Sequence, residues 1–195
     1  MRPIPRLVAS LALCLFALAA GAPASQAAQS VKNVTVDVYF SPRGGATDAI
    51  VQLIGQEQKT VLMQAYSFTS TPIAKALYEA HKRGVQVVAV LDKSQRSEKY
   101  SGADFLKNAG ITVVIDAQHA IAHNKIICLL SQATCVGGSF NYSRAAEDQN
   151  AENMMVFHSP DLMTALIENI KVHYGHSEVY EGRGEGPSAP PRRRR

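Results

Sequence analysis

Long apolar runs are nearly absent from this 195-residue chain. The one that stands out, Leu7 to Ala20, is too short for a comfortable bilayer span, which takes about 20 residues. No other segment comes close, so the sequence predicts a soluble body. Charge is also sparse: 18% of residues are charged against 46% hydrophobic, a balance that fits a globular fold and argues against disorder. The length suits one domain with a proper core and hardly two. Cysteine is limited to Cys14, Cys128 and Cys135. No internal repeat is visible, and a His-x-Lys pattern occurs once.

The apolar run follows Arg2 and Arg6 and is succeeded by small residues from Gly21 to Ala28. This order reads as a secretory signal over residues 1–27, with cleavage near Ala24 or Ala27 and an uncleaved anchor as the alternative. The expected protein is secreted or periplasmic. Its formal charge of +4 resides in its ends. Loss of Arg2 and Arg6 leaves +2, and setting aside Arg192 to Arg195 leaves the body at −2. The pI of 9.0 is therefore poor support for a nucleic-acid-binding body, and any phosphate-binding surface must be local. The Gly-, Pro- and Arg-rich stretch 181–195 reads as a disordered tail, whose arginines could attract phosphate groups.

Between these ends, periodicity predicts an α/β fold: a single domain over 31–180 with a mixed β-sheet between helices. Val34 to Phe40 alternates as a strand with Val34, Val36, Val38 and Phe40 on one buried face. A helix is expected from Ala46 to Gln56, with Ala49, Ile50, Leu53 and Ile54 inward. Thr60 to Phe68 reads as a strand. Ser70-Thr71-Pro72 starts a helix with a hydroxyl cap, which Lys82-Arg83-Gly84 ends. Val85 to Leu91 is apolar enough for a central strand. Lys93 to Ser101 reads as a loop, Ala103 to Ala109 as a short helix and Ile111 to Ile115 as a strand. Ile126 to Leu130 and Thr134 to Gly137 form a hairpin, and Asp161 to Val172 is the last helix.

With Ser131-Gln132 as a two-residue turn, Cys128 faces Cys135. Opposed residues have Cβ atoms close enough for a disulfide, which an exported protein can form. The alternative is a pair of small buried hydrophobes.

Five polar residues interrupt the apolar pattern. His123 and Lys125 share a strand face, as do Ser139 and Asn141, and Glu152 follows. Cleavage of a phosphodiester needs a nucleophile, and a neutral imidazole such as His123 qualifies. It needs donors for the non-bridging oxygens, for which Lys125 and Asn141 are suited, with Ser139 as a further donor. A carboxylate should orient the imidazole, and Glu152 is the candidate. The leaving oxygen needs an acid, ideally a second histidine. No metal ligand or cofactor is called for. His119 reads as structural or solvent-facing, and His81, His158, His173 and His176 receive no role.

His123-Asn124-Lys125, Gly138-Ser139-Phe140-Asn141 and Glu152-Asn153 together resemble the phospholipase D superfamily. Phe40-Ser41-Pro42, Ala65-Tyr66-Ser67-Phe68-Thr69, Lys82-Arg83-Gly84-Val85 and Ala145-Ala146-Glu147 look like its small single-motif bacterial endonucleases. The resemblance implies a phospholipase D-like fold and a metal-independent phosphodiesterase working through a phosphohistidine. It implies a homodimer that brings His123 from two chains into one site. One position departs from the family: its aspartate five residues after the lysine is Leu130 here. The leading expectation is a non-specific endonuclease acting on DNA or RNA. The alternatives are a phospholipase D acting on phospholipid headgroup esters and an inactive scaffold that binds phosphate or nucleic acid.

Overall fold

The computed structural model describes residues 28–183; the expected signal segment and the tail from residue 184 lie outside that range. Eight strands form one sheet in the order β1-β7-β6-β5-β2-β3-β4-β8. β2 (Thr60–Ala65), β3 (Gln86–Asp92) and β4 (Thr112–Asp116) are parallel. β5 (Lys125–Leu129), β6 (Thr134–Gly138), β7 (Glu152–His158) and β1 (Thr35–Ser41) continue antiparallel on one side, and the short β8 (Glu178–Val179) closes the other. The sheet is mixed and lies between helices, as the sequence pattern predicts.

Alternation along the strands divides the core into two layers. Met63, Ala89, Leu91, Ile115, Ile127 and Val156 point toward α1 (Ala46–Gln56), α2 (Thr71–Lys82) and α3 (Ala103–Asn108), where Ile50, Ile54, Ile73, Leu77 and Leu106 are buried. Val90, Val114, Cys128 and Cys135 point the other way and pack beneath Ile170, Leu166 and Met163 of α5 (Pro160–His176). β3 is buried on both faces beyond its first residue, as a central parallel strand should be. The β5–β6 hairpin has the expected register, with Cys128 opposite Cys135, and the two are disulfide-bonded.

Several expectations need correction. Val36, Val38 and Phe40 of β1 do not face a buried side: they are 39%, 50% and 67% exposed. β1 is an edge strand, and the register through β7 and β6 puts these residues on the α5 side of the sheet. α5 packs over the middle strands and leaves that edge uncovered. Tyr39, expected on the solvent face, packs against the main core.

The Ser70 hydroxyl makes no capping bond. The backbone N–H of buried Ser70 instead donates to Tyr142 O at 2.8 Å, tying the start of α2 to the segment after β6. The hairpin turn is a 3-10 turn over Leu130–Gln132, with Ala133 left-handed at φ 49°, rather than a two-residue turn. α5 runs to His176, four residues past the expected end. The chain also stays anchored beyond 180, since Arg183 pairs with Asp104 at 2.7 Å.

Two carboxylates hold distant segments together. Glu147, in α4 (Arg144–Asp148), accepts from the N–H groups of Gly45 and Thr47 at 3.3 and 2.8 Å. It thereby caps α1 from a hundred residues away and places negative charge at the positive end of that helix. Glu57 is fully buried where α1 meets the hairpin turn. It accepts from Lys59 and Thr60 N–H at 2.7 and 3.1 Å and from Ser131 N–H at 2.9 Å.

Candidate active site

The polar residues picked out by the sequence lie where β5, β6 and β7 begin or end. Lys125 opens β5 opposite Ala65. Pairing extends one step past the strands, with Tyr66 N–H donating to Asn124 O at 3.1 Å. Asn124 Nδ2 donates to Gln64 Oε1 at 3.1 Å. That bond holds Asn124 to one face, and alternation sends its neighbours His123 and Lys125 to the other.

His123 is exposed, and its ring packs on Tyr66 with centroids 4.6 Å apart and planes 53° apart. Lys125 is only 6% exposed. Its Nζ donates to His123 O at 2.6 Å and lies 5.1 Å from the centre of the Tyr66 ring. Tyr66 therefore supports both the imidazole and the ammonium, a role that the motif containing it does not reveal. Burial pulls the pKa of Lys125 below that of an ordinary lysine, and the negative charge of Glu152 partly restores it.

After β6 the chain turns sharply at Gly138, where φ is +140°. A Cβ there would sit 2.5 Å from Asn153 O, so the position requires glycine on grounds of both conformation and space. Ser139 and Phe140 N–H then donate to that same oxygen at 3.1 and 3.2 Å. Phe140 is buried at 2% exposure. Its flanking residues are thus directed away from it: Ser139 is exposed, while Asn141 is half-buried with Oδ1 enclosed and lacking a hydrogen-bond partner.

Glu152 opens β7 beside this turn. Its Oε2 accepts from Ser139 Oγ at 2.6 Å, and its Oε1 accepts from Asn150 Nδ2 at 3.0 Å. Asn153 N–H donates back to Ser139 Oγ at 3.1 Å. Glu152 N–H donates to Ser41 Oγ at 3.2 Å, and Ser41 Oγ donates to Asn150 O at 3.0 Å. Ser139 and Glu152 thus form one hydrogen-bonded pair, whose charge acts on Lys125 without a direct bond, and Lys125 adjoins His123. The bonds of Glu152 run to Ser139 and Asn150. Chemically, the end of the sheet offers an accessible imidazole, a desolvated cation, an amide and a hydroxyl backed by a carboxylate. These are the parts needed to bind and attack a phosphoryl centre.

A second polar group escaped the sequence reading. Asp116, His119, His173 and His176 converge, with one ligand atom from each within 4.8 Å of the others. Ending the last helix at Val172 hid it. The signal was the His-x-x-His spacing at 173 and 176, which continues the helical period on one face.

Comparison with known proteins agrees with this geometry. The family described as "Cardiolipin synthase, PLD-like domain" matches residues 50–173. A protein named "Phospholipase D" from Rickettsia bellii is 37% identical over 134 residues, covering 69% of this chain and 66% of the relative. The chain therefore spans about two thirds of that relative's length. A "Mitochondrial cardiolipin hydrolase" from Chlamydomonas reinhardtii is 30% identical, covering 58% of this chain and 50% of the relative. Among solved structures, Nuc from Salmonella typhimurium, a phospholipase D family member, superposes with a TM-score of 0.72 at 33% identity, covering 76% of this chain and 99% of that one. With the His123, Lys125, Ser139, Asn141 and Glu152 constellation standing at the ends of its central strands, the chain belongs to the phospholipase D superfamily.

Proposed function

We propose that this protein is an endonuclease that hydrolyses phosphodiesters of DNA and RNA through a phosphohistidine at His123. The observation that carries the reading is the accessible His123 imidazole packed on Tyr66 beside the buried Lys125 ammonium. In the first step a ring nitrogen of His123 attacks phosphorus, forming an N–P bond as the P–O bond to the leaving oxygen breaks. Lys125 and the Asn141 amide stabilise the charge on the non-bridging oxygens. Glu152 accepts a hydrogen bond from the Ser139 hydroxyl and so fixes that side chain, and its negative charge favours the charged form of Lys125 against burial. In the second step water attacks the phosphorus, a new P–O bond forms as the N–P bond breaks, the water's proton passes to the imidazole that had protonated the leaving oxygen, and the His123 imidazole is freed. No step is assigned to a metal. The exposed His123 leaves the site open to a polymer backbone, and the superposition on Nuc, which spans 99% of that chain, supports the architecture of a small member of the superfamily.

The acid for the leaving oxygen is assigned to the imidazole of a second copy. One His-x-Lys occurs per chain, and a twofold contact would bring the two together, with Glu152 available to orient the incoming ring. The uncovered strip of Val36, Val38 and Phe40 ends beside the site, because Phe40 pairs with Asn153. The Phe40→Glu variant should sediment as monomer and lose turnover. A monomeric wild-type protein at micromolar concentration would remove the shared site.

The names of the curated relatives favour a second reading, hydrolysis of phospholipid headgroup esters. Among the described residues no helix is long and apolar enough to cross a membrane. Wild type and His123→Ala should be assayed in parallel on plasmid DNA, single-stranded DNA, RNA and phospholipid vesicles in excess EDTA. DNA cleavage that survives EDTA and disappears in the variant supports the proposal. Headgroup release without DNA cleavage transfers it to the lipid, and turnover of neither leaves a phosphate-binding scaffold. We further propose export to the periplasm or the medium, where the Cys128–Cys135 disulfide is stable. Recovery of a chain beginning near residue 28 from those fractions would support export, and an intact cytosolic chain would refute it.

A further inference from the structure

The Asp116 cluster lies outside the phosphodiesterase group and has no part in the chemistry proposed there. Asp116 ends β4 on the α5 side of the sheet, and its side chain is fully buried. His119 follows on the loop leading to His123, and His173 and His176 lie one turn apart near the end of α5. Three imidazoles from two separate segments are directed at one carboxylate oxygen. His119 Nδ1 lies 2.9 Å from Asp116 Oδ2, His173 Nδ1 2.7 Å and His176 Nε2 3.2 Å. The three rings surround it, with centroids 4.9 to 5.4 Å apart.

Hydrogen bonding alone does not account for this convergence. A carboxylate oxygen has about two acceptor directions, and three ring nitrogens approach the same one. Oδ1 accepts from Gln118 N–H at 3.1 Å and lies 3.1 Å from His119 Nδ1 as well, so His119 straddles the two oxygens. The surplus is visible at His176, whose Nε2 is buried and has no hydrogen-bond partner despite its closeness to Oδ2. A buried, unsatisfied ring nitrogen is costly.

We propose that Asp116, His119, His173 and His176 form a binding site for a divalent transition-metal ion of the Zn2+ class. Three imidazole nitrogens and one carboxylate oxygen make a complete tetrahedral set, and a closed set of four characterises structural rather than catalytic zinc. The mixed N/O donors disfavour Mg2+ and Ca2+, which take oxygen ligands. A tetrahedral zinc site has ligand atoms about 3.4 Å apart, given bonds of about 2.0–2.2 Å. With all ligand atoms within 4.8 Å of one another, the widest pair must close by at most about 1.4 Å and the short N···O pairs must open slightly, changes within reach of side-chain rotation because His119 is 46% exposed. That same exposure provides the entry path. Gln118 N–H on Oδ1 supplies the outer hydrogen bond that aims Oδ2 inward. The ion would clamp the His119 loop, four residues before His123, to β4 and α5. Asp92 already holds this loop by accepting from Ala122 N–H at 2.7 Å.

The test uses the mature disulfide-bonded protein, stripped with chelator and titrated with Zn2+ by calorimetry and thermal unfolding. One Zn2+ per chain is expected, with Tm rising by about 5–10 °C at roughly 100 times the dissociation constant. Co2+ should give the visible spectrum of a tetrahedral complex. Asp116→Asn disturbs a buried carboxylate and risks misfolding, so His119→Ala and His176→Gln carry the decision once circular dichroism shows that they fold. Loss of the Zn2+ heat and of the Tm shift in both variants supports the site. Wild-type protein that binds no Zn2+, Co2+, Ni2+ or Cu2+, or folded variants that bind Zn2+ as tightly as wild type, would overturn it.

Discussion

Replacing Glu57 by glutamine should cost this protein about 3 kcal/mol at neutral pH. Glu57 is fully buried and accepts N–H groups from Lys59, Thr60 and Ser131, with Gln132 Nε2 at 3.3 Å. Burial pushes its carboxyl pKa up, but the hydrogen bonds from Lys59, Ser131 and Thr60 outweigh that and hold it below its ordinary value of 4.5. Hydrogen bonds to a charged acceptor contribute about 1.5–3 kcal/mol each, and an unsatisfied buried donor costs about 1–3 kcal/mol. Glutamine keeps one acceptor oxygen but sets an NH2 group against an inward N–H, so two donors face each other. The assay is urea unfolding with the disulfide intact. A loss of about 3 kcal/mol corresponds to a Tm lower by roughly 6–12 °C. The sign with pH follows from linkage. A depressed carboxylate pKa contributes stability that is complete above the unfolded pKa and is lost as pH falls through the folded one. The gap between wild type and variant should therefore be full at pH 7 and should close below pH 4.5. A Glu57→Gln protein within about 0.5 kcal/mol of wild type at pH 7, or a gap independent of pH, would refute the reasoning.

Breaking the Cys128–Cys135 link by double replacement with alanine reopens a short loop with a sequence separation of 7. It should cost about 2–3 kcal/mol by loop-closure entropy, and an unchanged denaturation midpoint would contradict this. Glu147→Gln removes the charged cap from α1 and should cost about 1–2 kcal/mol by the same unfolding assay. Glu152→Gln removes the charge that raises the Lys125 pKa against burial. The basic limb of the kcat/KM profile should then move to lower pH, whereas a limb that stays or moves up would dissociate Lys125 from it.

The elements most legible in the sequence were those specified by local pattern. The helix over Ala46–Gln56 was read to the residue because its apolar stripe and flanking glycines are contiguous. The hairpin register, and with it the disulfide, followed from a short-range count. The site was legible as a motif because His123, Lys125, Ser139, Asn141 and Glu152 interrupt apolar strands. What escaped depends on distant partners. Alternation in β1 separates two faces but does not say which is covered, and the exposed Val36, Val38 and Phe40 show the limit of that inference. β7 is hard to recognise as a strand from the sequence, although Met154 and Val156 alternate correctly, because it opens on the polar pair Glu152-Asn153. Glu57 and Ser131 are 74 residues apart. The departure at Leu130 is visible in the sequence, whereas the bond from the neighbouring Ser131 N–H to Glu57 is not. Gln118 and the His119 loop likewise gain meaning only beside α5.

Detection of a phosphoryl group on His123 tests the central claim most directly. The mature protein would be mixed with a chromogenic phosphodiester, quenched in alkali within the first turnover and digested, and the peptide carrying His123 examined by mass spectrometry. The account predicts a base-stable, acid-labile phosphoryl adduct on that peptide, formed as the chromophore is released and absent from His123→Ala. Chromophore release by wild type with no adduct at any time, or release that persists in His123→Ala, would contradict it.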